Sequence, residues 1–185
     1  MLKRILRLLL ITGLLLLIPV LASQYVDGWD WSFSDYVFAG IMFFGTGALF
    51  EWGRSISANM FYRAGFGLAL LAGFMITWAN LAVGFIGSEE NPANLMYFAV
   101  LAVTFLASII LRFNAQGMSR IMFATALALF LIPVIALVVL HSDFAEIPQA
   151  AGTLAVFVLN GFLVLLFVGS GLLFGQASNG IQDQA

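Results

Sequence analysis

The sequence predicts an all-α fold, a polytopic transmembrane helical bundle of six spans. Three observations predict it. Of 185 residues, 63% are hydrophobic and 9% charged, whereas soluble domains run near half apolar and a quarter charged. The apolar residues fall into six runs, each close to the ~20 residues that cross about 30 Å of hydrocarbon. The connections between the runs are short and polar. A single soluble core of this size has no room for so much apolar surface. No linker or low-complexity stretch divides the chain, so residues 1–185 read as one transmembrane helical domain.

The first span covers residues 5–22. Its basic start and the Val20-Leu21-Ala22 ending before Ser23 also fit a signal peptide, which would leave five spans. A retained helix is the preferred reading, because the later spans suffice to direct insertion. The second span is 34–56. Only 15 residues separate Asp35 from Glu51, about 22 Å of helix at ~1.5 Å per residue, so the helix must run past Glu51. Glu51 then lies at the interface, with Arg54 one turn on. The third span, 64–86, carries Gly65, Ala69, Gly73 and Thr77 at four-residue steps, a stripe that lets another helix approach. Asn80 and Gly84 continue it, which places Asn80 about two turns below the end of the span and facing protein. The fourth span, 92–111, starts at Asn91-Pro92, where Asn suits an N-cap and Pro the first helical position. The fifth and sixth spans are 121–140 and 150–174.

Charge sets the expected orientation. Lys3, Arg4, Arg7, Arg54, Arg63, Arg112 and Arg120 all fall at the N-terminus or in the second and fourth connections. The positive-inside rule makes that side cytoplasmic, with both termini inside. Asp27, Asp30, Asp35, Glu89, Glu90, Asp143 and Glu146 fall on the other side.

Several residues are candidates for chemistry. Asn91-Pro92-Ala93 matches a triplet that aquaporin-type pores use, but that design needs two such triplets, and only Pro92 of the four prolines follows Asn. A helix cap is the better reading of Asn91. Glu89, Glu90 and Asn94 flank it, and they either decorate a turn or close over Asn80 as a pocket. Asn80 is interhelical glue or a ligand contact, since buried polar side chains in membranes do one or the other. Glu51 with Arg54, and Arg63 across the loop, reads as an interfacial ion pair or a gate. Trp29 and Trp31 read as interfacial anchors or as a lid over an outer pocket. Asn80 and Asn160 loosely match in an inverted three-plus-three repeat, but nothing else aligns.

Other chemistries are excluded by count. There is no cysteine and a single histidine, His141, so thiol chemistry and bis-histidine haem are ruled out. Lys3 is the only lysine, so there is no mid-membrane Schiff base. His141 and Ser170 sit near opposite membrane faces and cannot form a hydrolytic pair. No metal site or cofactor is expected. The basic residues are too few and scattered for nucleic acid. The expected partners are the lipid bilayer and either a second copy or another membrane protein.

The segments "DYVFAG" at 35–40 and "NLAVGFIGSEENPANLMYF" at 80–98 resemble a family of small multi-pass bacterial inner-membrane proteins without an assigned activity. The resemblance covers about residues 29–122. It implies a bacterial inner (plasma) membrane location and carries over no activity, cofactor or site residue. The expected function is non-enzymatic, as a partner, assembly or stress-related component. The alternatives are a small-solute or ion pathway through the bundle and a membrane enzyme with an outer acidic site.

Overall fold

A computed structural model describes residues 2–87, 90–138 and 152–182. It is all-helical among those residues, with α1 Leu2–Tyr25, α2 Phe33–Ile56, α3 Met60–Ala82, a one-turn 3₁₀ helix Pro92–Asn94, α4 Leu95–Ile110, α5 Ala115–Val138 and α6 Gly152–Gln182. Six helical segments are long and apolar enough to cross a membrane. The chain is a multi-pass membrane protein. It divides into two compact units, Met1–Ser55 and Ile56–Ala185, where the sequence suggests one domain.

The first unit is an αα-hairpin of α1 and α2. Gly40 and Gly47, seven residues apart on α2, face α1. A Cβ at Gly40 would touch Leu16, and one at Gly47 would lie 2.8 Å from the Leu8 side chain. The helices meet where α2 has no side chain. The far end is tied by Tyr36, whose hydroxyl donates to the Pro19 carbonyl at 3.4 Å. Ser32 starts α2, with its N–H and hydroxyl both 2.7 Å from Asp35 Oδ2. Both bonds run from Ser32 to the carboxylate, and the Asp35 N–H returns to the Ser32 carbonyl at 3.1 Å.

The second unit packs α3 and α5 along α6, with α4 against α5. Hydrophobic burial supplies little drive between helices in lipid, so close packing and interhelical hydrogen bonds carry association. Both are visible. Gly65 of α3 lies on α6, where a Cβ would meet the Ser170 carbonyl at 3.2 Å and Leu173 Cβ at 3.3 Å. The Ser170 hydroxyl donates to the Gly65 carbonyl at 2.7 Å. Ser119 of α5 donates to the Gly171 carbonyl of α6 at 2.8 Å. Thr104 of α4 and Thr125 of α5 share a 2.6 Å hydroxyl contact.

Several boundaries differ from the sequence expectation, among them that α1 spans Leu2–Tyr25 and α3 starts at Met60. The third span stops at Ala82, not at residue 86, because Val83 and Gly84 both turn their N–H groups back to the Ala79 carbonyl and Gly84 has φ +72°. Asn80 therefore sits in the last turn of α3, not two turns below its end. The fifth helix begins at Ala115, where Asn114 Oδ1 accepts from the Gly117 N–H at 2.7 Å. The sixth continues to Gln182, since no proline or positive-φ residue interrupts it after residue 174.

Candidate functional site

The densest polar structure in the second unit lies where α3 ends and α4 begins. Gly84 and Gly87 both have positive φ, +72° and +63°, conformations that glycine adopts without a Cβ penalty. Between them Phe85 and Ile86 are buried. Burial leaves their backbone polar groups needing partners, and Asn94 supplies them. Its Oδ1 accepts from Phe85 N at 3.0 Å and Ile86 N at 2.9 Å, and its Nδ2 donates to the Ile86 carbonyl at 3.2 Å. Asn94 is 3% exposed. It is a clamp on this turn, with its side chain directed into the protein.

Asn91 does what its sequence position suggests. Its Oδ1 accepts from Ala93 N at 3.0 Å, with Pro92 at the first helical position. The cap opens a 3₁₀ turn, and α4 proper starts at Leu95. Glu90 is exposed. Glu89, His141, Asp143 and Glu146 lie outside the described residues.

Next in this cluster is a relay across three helices. The Phe85 ring stacks on Tyr97 of α4, with centroids 4.9 Å apart. The Tyr97 hydroxyl donates to Asn160 Oδ1 of α6 at 3.1 Å. Asn160 Nδ2 then donates to the Leu129 carbonyl of α5 at 2.8 Å. Pro133, four residues beyond Leu129, has no N–H to fill that carbonyl. Asn160 takes the place of the missing donor. Tyr97 and Asn160 are 0% and 2% exposed.

Asn80 is the exception. Its Nδ2 donates to the Ile76 carbonyl one turn back at 2.9 Å. Its Oδ1 is buried and has no donor among the described residues, and the residue is 4% exposed. Asn80 faces protein, as the small-residue stripe implies. Trp78 instead stacks on Phe74 along its own helix.

The first unit holds two pairs of the sequence candidates at opposite ends, Glu51 with Arg54 and Trp29 with Trp31. At one end Arg7 donates to Glu51 Oε1, and Arg54 approaches the same oxygen at 3.6 Å. Arg7 is a partner that the sequence reading did not assign. Arg63 belongs to the second unit, where its Nε donates to the Ser57 carbonyl at 2.8 Å. At the other end Trp29 and Trp31 have ring centroids 5.4 Å apart, and Tyr36 meets Trp31 edge-on at 5.3 Å. Trp29 Nε1 is buried without an acceptor among the described residues.

Among the described residues no three of His, Cys, Asp and Glu come close enough to hold a metal ion. The fold and these contacts define a polytopic helical membrane protein whose internal polar groups mostly bind one another. Comparison of the chain with family models, curated proteins and solved structures returns no match.

Sequence reasoning missed three contacts: the Asn94 clamp, the Asn160 cap of the proline break, and Arg7 on Glu51. The second had a signal, because a proline inside a span always frees the carbonyl four residues earlier.

Proposed function

We propose that the chain is a non-enzymatic protein of the bacterial inner membrane that acts as a partner or assembly component, with both termini cytoplasmic. The observation that carries this reading is the use of the polar side chains. Asn94, Tyr97, Asn160, Ser119 and Ser170 each bind another part of the second unit. A transport path or catalytic centre presents such groups to a substrate, whereas these hold helices together. The orientation rests on the positive-inside rule, with Arg63, Arg112 and Arg120 on the inner side. The bacterial location rests on the resemblance of residues 29–122. Retention of α1 is supported by its bonds to α2 at both ends.

The test is flux and ligand screening on the purified protein in liposomes, comparing wild type with Asn80→Leu and Glu90→Gln. No flux or turnover above empty liposomes is expected for any of the three. Solute flux in wild type that either variant reduces refutes the proposal. Orientation is tested by a single cysteine at Gln116 in this cysteine-free chain, and labelling from outside intact cells overturns it.

One observation favours the small-solute pathway as a second reading. Asn80 keeps a buried acceptor without a donor among the described residues, and buried polar groups of that kind in membranes mark function when they are not glue.

A further inference from the structure

We propose that the proline break in α5 is a hinge, that Asn160 of α6 latches it, and that the turn between α3 and α4 holds the latch through Phe85 and Tyr97. Three observations support it. First, the two parts of α5 are secured unequally. Before the break, Ser119 donates to the Gly171 carbonyl of α6, and Thr125 shares its hydroxyl contact with Thr104 of α4. The Phe123 ring lies against Gly171, 3.1 Å from where a Cβ would stand. After Pro133, the buried residue among those described is Ala136, with one methyl to pack, while Ile135, Leu137 and Val138 are exposed. Pro133 removes the N–H that would tie the two parts through the Leu129 carbonyl, and its ring crowds that carbonyl. Helices bend at such points.

Second, the latch is made as a whole. Asn160 Nδ2 donates to the Leu129 carbonyl at 2.8 Å while its Oδ1 accepts from the Tyr97 hydroxyl at 3.1 Å. Turning the amide over would set its oxygen against the Leu129 carbonyl. The Tyr97 bond therefore supports the one orientation in which Nδ2 can hold α5. An interhelical hydrogen bond in a membrane shifts an equilibrium about threefold on average and roughly twentyfold at most, a range that a change elsewhere in the bundle can overcome.

Third, Tyr97 is joined to a turn with freedom of its own. Phe85 stacks on the Tyr97 ring with centroids 4.9 Å apart. It sits between Gly84 and Gly87, both at positive φ, and glycines change backbone conformation at little steric cost. Asn94 holds the Phe85 N–H at 3.0 Å. Displacing this turn withdraws the Phe85 ring from Tyr97, loosens the hydroxyl from Asn160 and lets α5 bend at Pro133.

The chain has no cysteine, so single introduced thiols report the motion. Ala136→Cys places a thiol after the hinge where the native residue is 0% exposed, Ala126→Cys places one before it at 3%, and Leu137→Cys places one on the surface. The full-length protein in detergent is treated with N-ethylmaleimide, and mass spectrometry reads the labelling rate. Tyr97→Phe leaves α5 and α6 untouched and should speed labelling at 136 about threefold. Asn160→Leu should speed it by more, and Phe85→Leu should also speed it. Rates at 126 and 137 should stay as in wild type. Adding Pro133→Ala gives the Leu129 carbonyl a helical N–H and should return the rate at 136 to the wild-type value in all three variants. Unchanged labelling at 136 in Tyr97→Phe or in Phe85→Leu overturns the inference. Equal acceleration at 126 and 136, or acceleration that persists with Pro133→Ala, overturns it as well. Circular dichroism and thermal melting confirm that each variant is folded. If Asn160→Leu is not, the Tyr97→Phe and Phe85→Leu rates with and without Pro133→Ala decide the question. If Ala136→Cys is not, hydrogen exchange at the Ala136 amide takes its place with the same expected pattern.

Discussion

Asn160 Nδ2 donates at 2.8 Å to the Leu129 carbonyl, the acceptor that Pro133 leaves without a helical donor. The same amide takes the Tyr97 hydroxyl on its oxygen, so one side chain joins α4, α5 and α6. Asn160→Leu should lose both bonds. Interhelical hydrogen bonds in membranes average ~0.6 kcal/mol and reach ~1.7, so a loss of about 1–3 kcal/mol is expected. In a Pro133→Ala background the Leu129 carbonyl regains an N–H from residue 133. Asn160→Leu should then cost about 1 kcal/mol less, which a double-mutant cycle on unfolding free energy reads directly. Additive effects would mean that the proline break and the asparagine are energetically independent.

The Asn91 and Asn94 side chains, three residues apart in "NPAN", should differ in weight. Asn91 is a partly exposed cap, so Asn91→Ala should cost about 1 kcal/mol. Asn94→Leu leaves two buried N–H groups and a carbonyl without partners, each worth about 1–3 kcal/mol when unsatisfied. A loss exceeding that of Asn91→Ala by at least 2 kcal/mol is expected. Hydrogen exchange should localise it, with faster exchange at the Phe85 and Ile86 amides in Asn94→Leu and little change there in Asn91→Ala.

This asymmetry shows what the sequence could disclose. Hydropathy placed six spans because spanning length is a property of single segments. The Asn91 cap was legible because a cap acts within three residues. Asn94 was not, because its partners lie eight and nine residues back, across a turn whose geometry depends on positive φ at Gly84 and Gly87. The end of α3 was misplaced for the same reason, since the apolar pattern continues through Phe85 and Ile86 although the helix does not. Arg7 on Glu51 was invisible because it is set by the register of two helices, which Gly40 and Gly47 fix in three dimensions. The stripe on α3 is enough to place Asn80 inward, but that no described residue donates to its Oδ1 depends on the packed structure.

The glycines separate into those that permit contact and those that do not. At Gly65 a Cβ would meet the Ser170 carbonyl at 3.2 Å and Leu173 Cβ at 3.3 Å, atoms with little room to yield. Gly65→Ala should destabilise by about 1–3 kcal/mol, in the range for overpacking. At Gly161 and Gly45 nothing lies within 4 Å of an added Cβ. Alanine there should be neutral or stabilise by up to about 1 kcal/mol through helix propensity. Thermal unfolding of the three variants in one detergent gives the comparison. A destabilised Gly161→Ala would show that α6 approaches another surface there in the working protein.

Asn80 provides the sharpest test of whether the buried polar groups are only glue. Its Nδ2 bond goes to a carbonyl that already has a helical donor, so little depends on it. Its Oδ1 has no donor among the described residues, and an unsatisfied buried acceptor costs about 1–3 kcal/mol. Removing the amide should therefore leave the isolated protein unchanged or more stable, by about 1 kcal/mol. Asn80→Ala and Asn80→Leu bracket the native volume, so a gain in either is not hidden by a cavity or by crowding. If both variants lose 2 kcal/mol or more, Oδ1 is bonded in the working protein to a donor that the described residues do not supply. The structural reading of the core then gives way to the pathway reading, and Asn80 becomes its first contact residue. Stability unchanged or raised, together with unchanged liposome flux, leaves the helix-joining role as the sufficient account of the bundle's interior.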